Sequence, residues 1–246
     1  MNQAAAIIRV NQAAAIIRLC YPPGIGDQAE IAWRFGWFRS DVLPRIFQQQ
    51  DAECDVWVWV HPRHKAEIEA MDPRIRTFTV RDSKRLIRHP IRNAHPWGSV
   101  HGLPRYPVQL LFGSDDLIGP QFLSTALATL AAMRAPRALV HFQPYKFDVA
   151  TRQVYDCGIS VPHTGEYHYR NDMPSMFQAF RQPVTDSRYT WVWARGHTRM
   201  HTVADEVALV PAGHCLLSVH RYNDSTKITG ADAPLPDRRP DWLVAA

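Results

Sequence analysis

Cysteine is scarce in this chain of 246 residues, and the four that occur are scattered: Cys20, Cys54, Cys157 and Cys215. No C-x-x-C pair or other zinc spacing is present, so we expect free thiols in a reducing compartment. No apolar run approaches the roughly 20 residues of a membrane span, and the start of the chain lacks the features of a signal peptide. These absences favour a cytoplasmic protein.

Several catalytic signatures are also missing. The sequence has no G-x-S-x-G turn for a serine nucleophile, no cysteine in a recognisable nucleophile context and no Walker phosphate loop. Gly24-Ile25-Gly26 follows a predicted strand but lacks the third glycine of a dinucleotide-binding fingerprint. Covalent hydrolases and P-loop NTPases are therefore disfavoured, and a Rossmann cofactor site has weak support.

Neither sign of charge dominates, because 28 Lys and Arg residues face 23 Asp and Glu residues, for a formal net charge of +5. This mildly basic balance suits a phosphate-bearing substrate and is too weak by itself to indicate nucleic acid. Basic residues concentrate in segment 81–105, which has little periodicity. It is either a functional loop that covers phosphates or a solvated surface loop.

What the sequence does contain is a regular alternation of strand and helix patterns in its first half. Strands are predicted at 15–20, 54–60 and 74–80, with helical segments at 29–50 and 65–71 between them, and Asp41 is expected to cap a helix from Val42 onward. The second half is richer in hairpins, with an antiparallel pair expected at 145–149 and 153–155. The pattern predicts an α/β fold, with a mixed, mostly parallel sheet flanked by helices and a hairpin-rich C-terminal half.

We expect one domain over residues 1–246, because no strong linker divides the chain. A near-perfect tandem repeat occupies residues 2–10 and 11–19. It occurs only twice, so it is not a solenoid unit, and residues 1–14 are interpreted as an added arm. Gly, Pro and charged residues in segment 225–246 indicate a loosely attached tail.

Segment 108–120 has the strongest chemical signal. An apolar, strand-like run leads through Gly113 and Ser114 into Asp115 and Asp116, and an apolar helix is predicted at 121–135. Carboxylates at the carboxyl end of a buried strand lie where open α/β sheets bind ligands. Two adjacent carboxylates repel each other, so they either share a cation such as Mg²⁺ or Mn²⁺ or one of them stays protonated. The alternative is a solvated turn that caps the helix.

His220 ends a second apolar strand, predicted at 215–220. It could reach a metal held by the two aspartates, although most histidines at such places are only hydrogen-bonded. The pair His197 and His201 has the i, i+4 spacing of a helical metal site. It lacks the glutamate of a zinc protease, and its turn-like context disfavours a helix.

Four ordered segments together resemble a GT-A-type glycosyltransferase, and more narrowly the rhamnosyltransferase family. They are 34–50 with the following strand at 55–60, 109–122, the hairpin 145–155 with 174–177, and 216–223. Segment 109–122 resembles the family's Arg-x-Asp-Ser-Asp-Asp stretch, and 216–223 is similar to its closing strand and His-x-x-Asn. One departure is clear, since Gly113 stands where the family has its first Asp and Leu111 where it has Arg.

The resemblance implies a GT-A-like fold and a hexosyltransferase-like reaction that moves a sugar, rhamnose in this family, from a nucleotide-sugar donor to an acceptor hydroxyl. Asp115, with Asp116 and His220, would hold Mn²⁺ or Mg²⁺ on the donor's diphosphate, and the metal would ease departure of the nucleotide. Arg34 or Arg39 would bind the phosphates through the planar guanidinium fork.

Inversion at the sugar would require a carboxylate that takes the acceptor's proton, and Asp172 and Glu166 are candidates by position. Two alternatives stay open at this stage. Gly113 in place of an aspartate is consistent with a catalytically inactive GT-A-like binding protein. The basic segment 81–105 would instead suit a glycosyltransferase that acts on nucleic acid.

Overall fold

The computed structural model describes residues 13–19, 28–79, 104–156, 177–190, 192, 197–222, 228, 233–235 and 240–244. The strands in these ranges are β1 (Ala13–Leu19), β2 (Asp55–Val60), β3 (Ile75–Thr79), β4 (Val108–Leu111), β5 (Leu117–Ile118), β6 (Ala138–Phe142), β7 (Tyr145–Asp148), β8 (Gln153–Asp156), β9 (Gln178–Arg181), β10 (Glu206–Val210), β11 (Cys215–Val219) and β12 (Ala233–Pro234). They form one sheet of seven strands and one of five.

The helices that lie wholly within the described ranges are α1 (Gln28–Trp37), α2 (Leu43–Phe47), α3 (Lys65–Glu69), α4 (Phe122–Ala132) and α5 (Asp241–Val244). A π-helical turn, Phe38–Val42, joins α1 to α2, and 3₁₀ turns occupy Pro62–His64 and His197–Val203. None of the helices in the described ranges is long and apolar enough to cross a membrane.

The seven-stranded sheet has the order β10-β6-β9-β4-β1-β2-β3. Parallel pairs join β1 to both β2 and β4, β2 to β3, and β6 to β10, whereas β9 lies antiparallel between β4 and β6. The described side chains of its central strands β1 and β4 are buried, as expected where helices cover both faces of a parallel sheet. The prediction of a mixed, mostly parallel sheet flanked by helices is confirmed.

The smaller sheet has the order β12-β8-β7-β11-β5 and contains the antiparallel β7–β8 hairpin, which confirms the prediction for this region. The short strand β5 directly follows Asp115 and Asp116, and it pairs antiparallel with β11 through Leu117 and Leu216. This pairing brings the end of β11, and with it His220, to the aspartates.

Two details of the expected helices are wrong. Asp41 does not cap a helix, because it lies inside the continuous path from α1 through the π-helical turn into α2. The helix predicted at 121–135 is α4, which begins at Phe122 with Gln121 as its N-cap and ends at Ala132.

The described residues of the tail predicted at 225–246 pack on the fold. Strand β12 pairs with β8, and Leu243 is buried. The indole Nε1 of Trp242 donates a hydrogen bond to the carbonyl oxygen of Gly213 at 3.0 Å. Cys54 and Cys215 are free thiols, as predicted. Cys20 and Cys157 lie outside the described residues.

Replacement by alanine should change stability in opposite directions at two glycines. A Cβ at Gly119 would lie 2.8 Å from Cε2 and Nε1 of Trp242, so Gly119→Ala should lower the free energy of unfolding by roughly 1–3 kcal/mol. A Cβ at Gly36, within α1, would meet nothing within 4 Å, and Gly36→Ala should raise that free energy by roughly 0.5–1 kcal/mol. Urea denaturation measures both changes. A Gly119→Ala protein as stable as the wild type would contradict the packing of Trp242.

Candidate functional site

Three chain segments meet at the carboxylate of Asp115. Asp115 follows β4, Arg34 lies on α1, and His220 follows β11. Nη1 of Arg34 lies 2.8 Å, and Nε2 of His220 2.9 Å, from the same oxygen, Oδ2 of Asp115. We call these three side chains the Asp115 cluster. It lies past the carboxyl ends of β4 and the neighbouring parallel strand β1, which is where open α/β sheets bind ligands.

The guanidinium of Arg34 is held on all three of its nitrogens. Besides the bond to Asp115, Nε donates to Oε1 of Glu30, one helical turn earlier, at 3.0 Å. Nη2 donates to the carbonyl oxygen of Tyr222 at 2.9 Å. Arg34 therefore links α1 to the segment after β11 and fixes the position of the Asp115 carboxylate.

His220 adopts a defined tautomer. Its Nδ1 accepts a hydrogen bond from the backbone N–H of Tyr222 at 3.2 Å, so the ring proton is on Nε2 and points to Asp115. Burial by itself raises the pKa of Asp115, but the hydrogen bond from His220 and the positive charge of Arg34 outweigh it and lower that pKa below its ordinary value. Asp115 is thus an ionised acceptor at neutral pH.

Asp116 has a different environment although it is the next residue. Its side chain is buried, with 2% of the residue exposed. Oδ2 accepts the backbone N–H of Gly113 at 3.2 Å, and Oδ1 accepts that of Ser218 at 3.1 Å. Burial, and then the negative charge of Asp115, raise the pKa of Asp116 well above its ordinary value. Asp116 joins the loop after β4 to β11.

The residues proposed from sequence as metal ligands do not fit a divalent ion in this arrangement. Oδ2 of Asp115 already faces a cationic guanidinium and an imidazole N–H, and both oxygens of Asp116 accept backbone amides. Within the part of the chain that the structure describes, no group of three or more His, Cys, Asp or Glu side chains is placed to hold a metal together. The requirement for Mn²⁺ or Mg²⁺ stays a prediction.

An aromatic cluster borders these charges. The ring centroid of Trp33 lies 4.2 Å from that of His220, 5.6 Å from that of Tyr222, and 5.8 Å from that of Trp37, with which it is stacked. Nε1 of Trp37 donates to the backbone carbonyl oxygen of Asp115 at 2.8 Å. Trp33 and Trp37 were missed by the sequence reasoning. Their i, i+4 spacing around Arg34 on a predicted helix was the available signal.

Arg39 does not join the Asp115 cluster. Arg39 is exposed on the π-helical turn and is not among the charged groups that act on Asp115. Asp172 and Glu166 lie outside the described residues, as does the basic segment 81–105 except for its last two positions. His197 and His201 lie in a 3₁₀ turn, so their i, i+4 spacing does not have α-helical geometry.

No family model and no curated protein sequence matches the chain. Several solved structures resemble it at low identity. S. aureus TarS 1-349 in complex with UDP matches with a TM-score of 0.48 and 12% identity, over 85% of this chain and 60% of that chain. The same TarS fragment in complex with UDP-GlcNAc matches with a TM-score of 0.47 and 10% identity, over 88% and 62%.

A third match is 4-diphosphocytidyl-2C-methyl-D-erythritol synthase from Anaerococcus prevotii DSM 20548. It has a TM-score of 0.42 and 12% identity, over 81% of this chain and 86% of that chain. The present chain spans less than two thirds of the TarS fragment's length. Because each of these TM-scores is below 0.5, the likenesses carry no argument about activity.

The raised pKa of Asp116 predicts a pH dependence of stability. A carboxyl with a higher pKa in the folded protein than in the unfolded chain loses its proton on unfolding, so stability falls as pH rises from the ordinary value of 3.8 toward the folded pKa. Asp116→Asn cannot ionise and should remove this fall. The Tm of the variant relative to the wild type should therefore increase between about pH 4 and about pH 7.

Differential scanning calorimetry across that pH range is the measurement. The control is Asp51→Asn, because Asp51 is exposed and its positive φ of 61° suits asparagine equally well. Parallel Tm curves for Asp116→Asn and the wild type would show that Asp116 is ionised in the folded protein across the whole range.

Proposed function

We propose that this chain is a glycosyltransferase that takes a sugar, rhamnose by its family resemblance, from a nucleotide-sugar donor. The observation that carries the proposal is the convergence of Arg34, Asp115 and His220 at the carboxyl edge of β4 and β1. The same residues lie in three of the four segments that resemble the glycosyltransferase family, so geometry and sequence support the proposal independently.

In this proposal the ionised Asp115 accepts hydrogen bonds from hydroxyls of the donor's ribose or sugar. A carboxylate with a lowered pKa is an acceptor only, and Arg34 and His220 hold it in one orientation. The rings of Trp33 and Tyr222, tilted by 48° to each other beside the Asp115 cluster, offer aromatic faces on which a nucleobase could stack.

Breaking the bond between the sugar's anomeric carbon and the diphosphate places negative charge on the departing nucleotide. A preorganised cation near that charge stabilises the transition state, and Arg34 is the guanidinium that the described residues place at the Asp115 cluster. The acceptor hydroxyl attacks the anomeric carbon and gives up its proton to a base. Asp172 and Glu166 stay the predicted candidates for that base.

A panel of nucleotide sugars, including rhamnose donors, tests the proposal by thermal shift with and without Mn²⁺. A donor present at 100 times its Kd should stabilise the protein by about 2.7 kcal/mol, which corresponds to several degrees in Tm for a chain of this size. A Tm increase that requires Mn²⁺ would support the predicted metal. A Tm increase that persists in EDTA would indicate that positively charged side chains bind the donor's diphosphate without a metal. No shift with any donor would refute the proposal.

A further inference from the structure

A cavity of about 550 Å³ lies beside the second half of the long helical segment, apart from the Asp115 cluster. The π-helical turn and α2 form one wall, the connection from β5 to α4 forms another, and α5 contributes Trp242. None of Arg34, Asp115 and His220 lines it. Its volume is in the range of small-molecule sites, and π-helical turns are frequent at functional sites.

Arg45 gives the cavity a cation with spare hydrogen-bonding capacity. Its Nε is buried and has no hydrogen-bond partner among the described residues. Its Nη1 reaches the carbonyl oxygen of Trp242 only at 3.5 Å, which is a weak contact. Because Nη1 has only this weak contact, the guanidinium can donate to an acceptor that enters the cavity.

The electrostatic surroundings of Arg45 favour a negatively charged acceptor. Burial lowers the pKa of Arg45, the negative charge of Asp41 opposes that change, and the positive charge of Arg152 adds to it. Burial is the largest of these effects, and the attraction to Asp41 is larger than the repulsion from Arg152. An anion on the Arg45 guanidinium would offset both the burial of its charge and the repulsion from Arg152.

Trp242 and the polar residues of the cavity indicate what else the ligand carries. The indole is held in place by its bond to Gly213 and by its close approach to Gly119, and the Arg45 guanidinium carbon lies 5.2 Å from its ring centroid. Asp41 and the amide of Gln48 also line the cavity, and they supply an acceptor and donors for hydroxyl groups.

We propose that this cavity binds a hydroxylated ring that carries a carboxylate, that is, a uronic acid or a glycan that contains one. The planar guanidinium suits a planar carboxylate, which would accept hydrogen bonds from its Nη atoms. The ring lies against Trp242, and its hydroxyls bond to Asp41 and Gln48. This gives the chain a glycan-binding site separate from the Asp115 cluster, and it does not depend on the proposed transfer activity.

Titration of the full chain with D-glucuronate, D-glucose and acetate, followed by ¹⁵N–¹H NMR, tests the proposal. Glucuronate should bind roughly tenfold more tightly than glucose, which lacks the carboxylate, or acetate, which lacks the ring. It should shift the indole N–H resonance of Trp242. Equal affinities for the three compounds, an unshifted Trp242 resonance, or equal competition by inorganic phosphate would each overturn the proposal.

Two Arg→Gln variants, each of which loses one positive charge, test whether binding depends on the arginine in the cavity. Arg45→Gln should weaken glucuronate binding roughly tenfold. Arg134→Gln should leave it unchanged, because Arg134 is an exposed residue that does not line the cavity. Unchanged binding by Arg45→Gln would contradict the assignment. Asp115→Asn should bind glucuronate as tightly as the wild type does, because Asp115 does not line the cavity. The donor-site proposal and the cavity proposal can therefore fail separately.

Discussion

Asp115→Asn should lower kcat/KM for sugar transfer by roughly 100- to 1000-fold, the effect expected when a preorganised polar contact is lost from a reacting centre. The substitution keeps the shape of the side chain but removes the charge that pairs with Arg34 at 2.8 Å. It also places either an amide NH₂ or a neutral oxygen where Nε2 of His220 now donates at 2.9 Å. The carboxylate that we propose as the hydroxyl acceptor is then absent.

Initial rates of donor consumption and product formation, measured on the donor that gives the largest thermal shift, provide the values. Asp51→Asn is the control, since it makes the same chemical change at an exposed site. Circular dichroism should show that both variants are folded. A transfer rate within a few-fold of the wild type for Asp115→Asn would remove Asp115 from the reaction. A wild type that binds the donor without transferring it would support the inactive binding protein instead.

Phe122→Ala should lower the free energy of unfolding by roughly 3–5 kcal/mol, the range observed for truncation of a buried aromatic side chain. Phe122 begins α4, has 0% exposure, and fills the space between that helix and the larger sheet. Its ring centroid lies 4.3 Å from that of Phe142, 6.0 Å from that of Phe112 and 6.2 Å from that of Phe177. Alanine would leave a cavity surrounded by these three rings.

Urea unfolding with a constant m-value gives the change in free energy. Val184→Ala is the control, because Val184 is 37% exposed and its truncation should change stability by less than about 0.5 kcal/mol. A loss below about 1 kcal/mol for Phe122→Ala would mean that α4 does not pack on the sheet through this residue.

Strands that are rich in β-branched and aromatic residues were predictable, because these residues favour extended backbone and also suit the buried sheet. Strand β6 has the predicted bounds, and β2 differs from its prediction by one residue. Strand β5 was missed because it is two residues long and exists only through its pairing with β11, about a hundred residues later. No local pattern in a sequence encodes such a pairing.

The error at Asp41 has a local physical reason. Asp41 precedes a helical segment and is a good N-cap residue, so a helix start was a fair prediction. The helix instead continues, because Leu43 donates its backbone N–H to Phe38, five residues earlier. A proline at position 44 cannot make the ordinary helical bond and crowds the preceding turn, and the wider π-helical turn accommodates it.

The candidate site was predictable only in part. Asp115 and His220 each follow an apolar strand, which was enough to suggest that they meet. The contribution of Arg34 depends on how α1 packs, since 81 residues separate it from Asp115 along the chain. The opposite pKa shifts of Asp115 and Asp116 could not be predicted from the sequence either. It arises from which backbone amides and charges each carboxylate faces after the chain turns into β5.

The central claim is that the Asp115 cluster binds the nucleotide-sugar donor, and the indole N–H resonances of Trp37 and Trp242 test it most directly. Nε1 of Trp37 donates to the backbone of Asp115, whereas Nε1 of Trp242 donates to Gly213 beside the separate cavity. In a ¹⁵N–¹H titration with the donor, we expect the Trp37 resonance to shift and saturate while the Trp242 resonance stays in place. A donor that shifts only Trp242, or neither resonance, would contradict the claim.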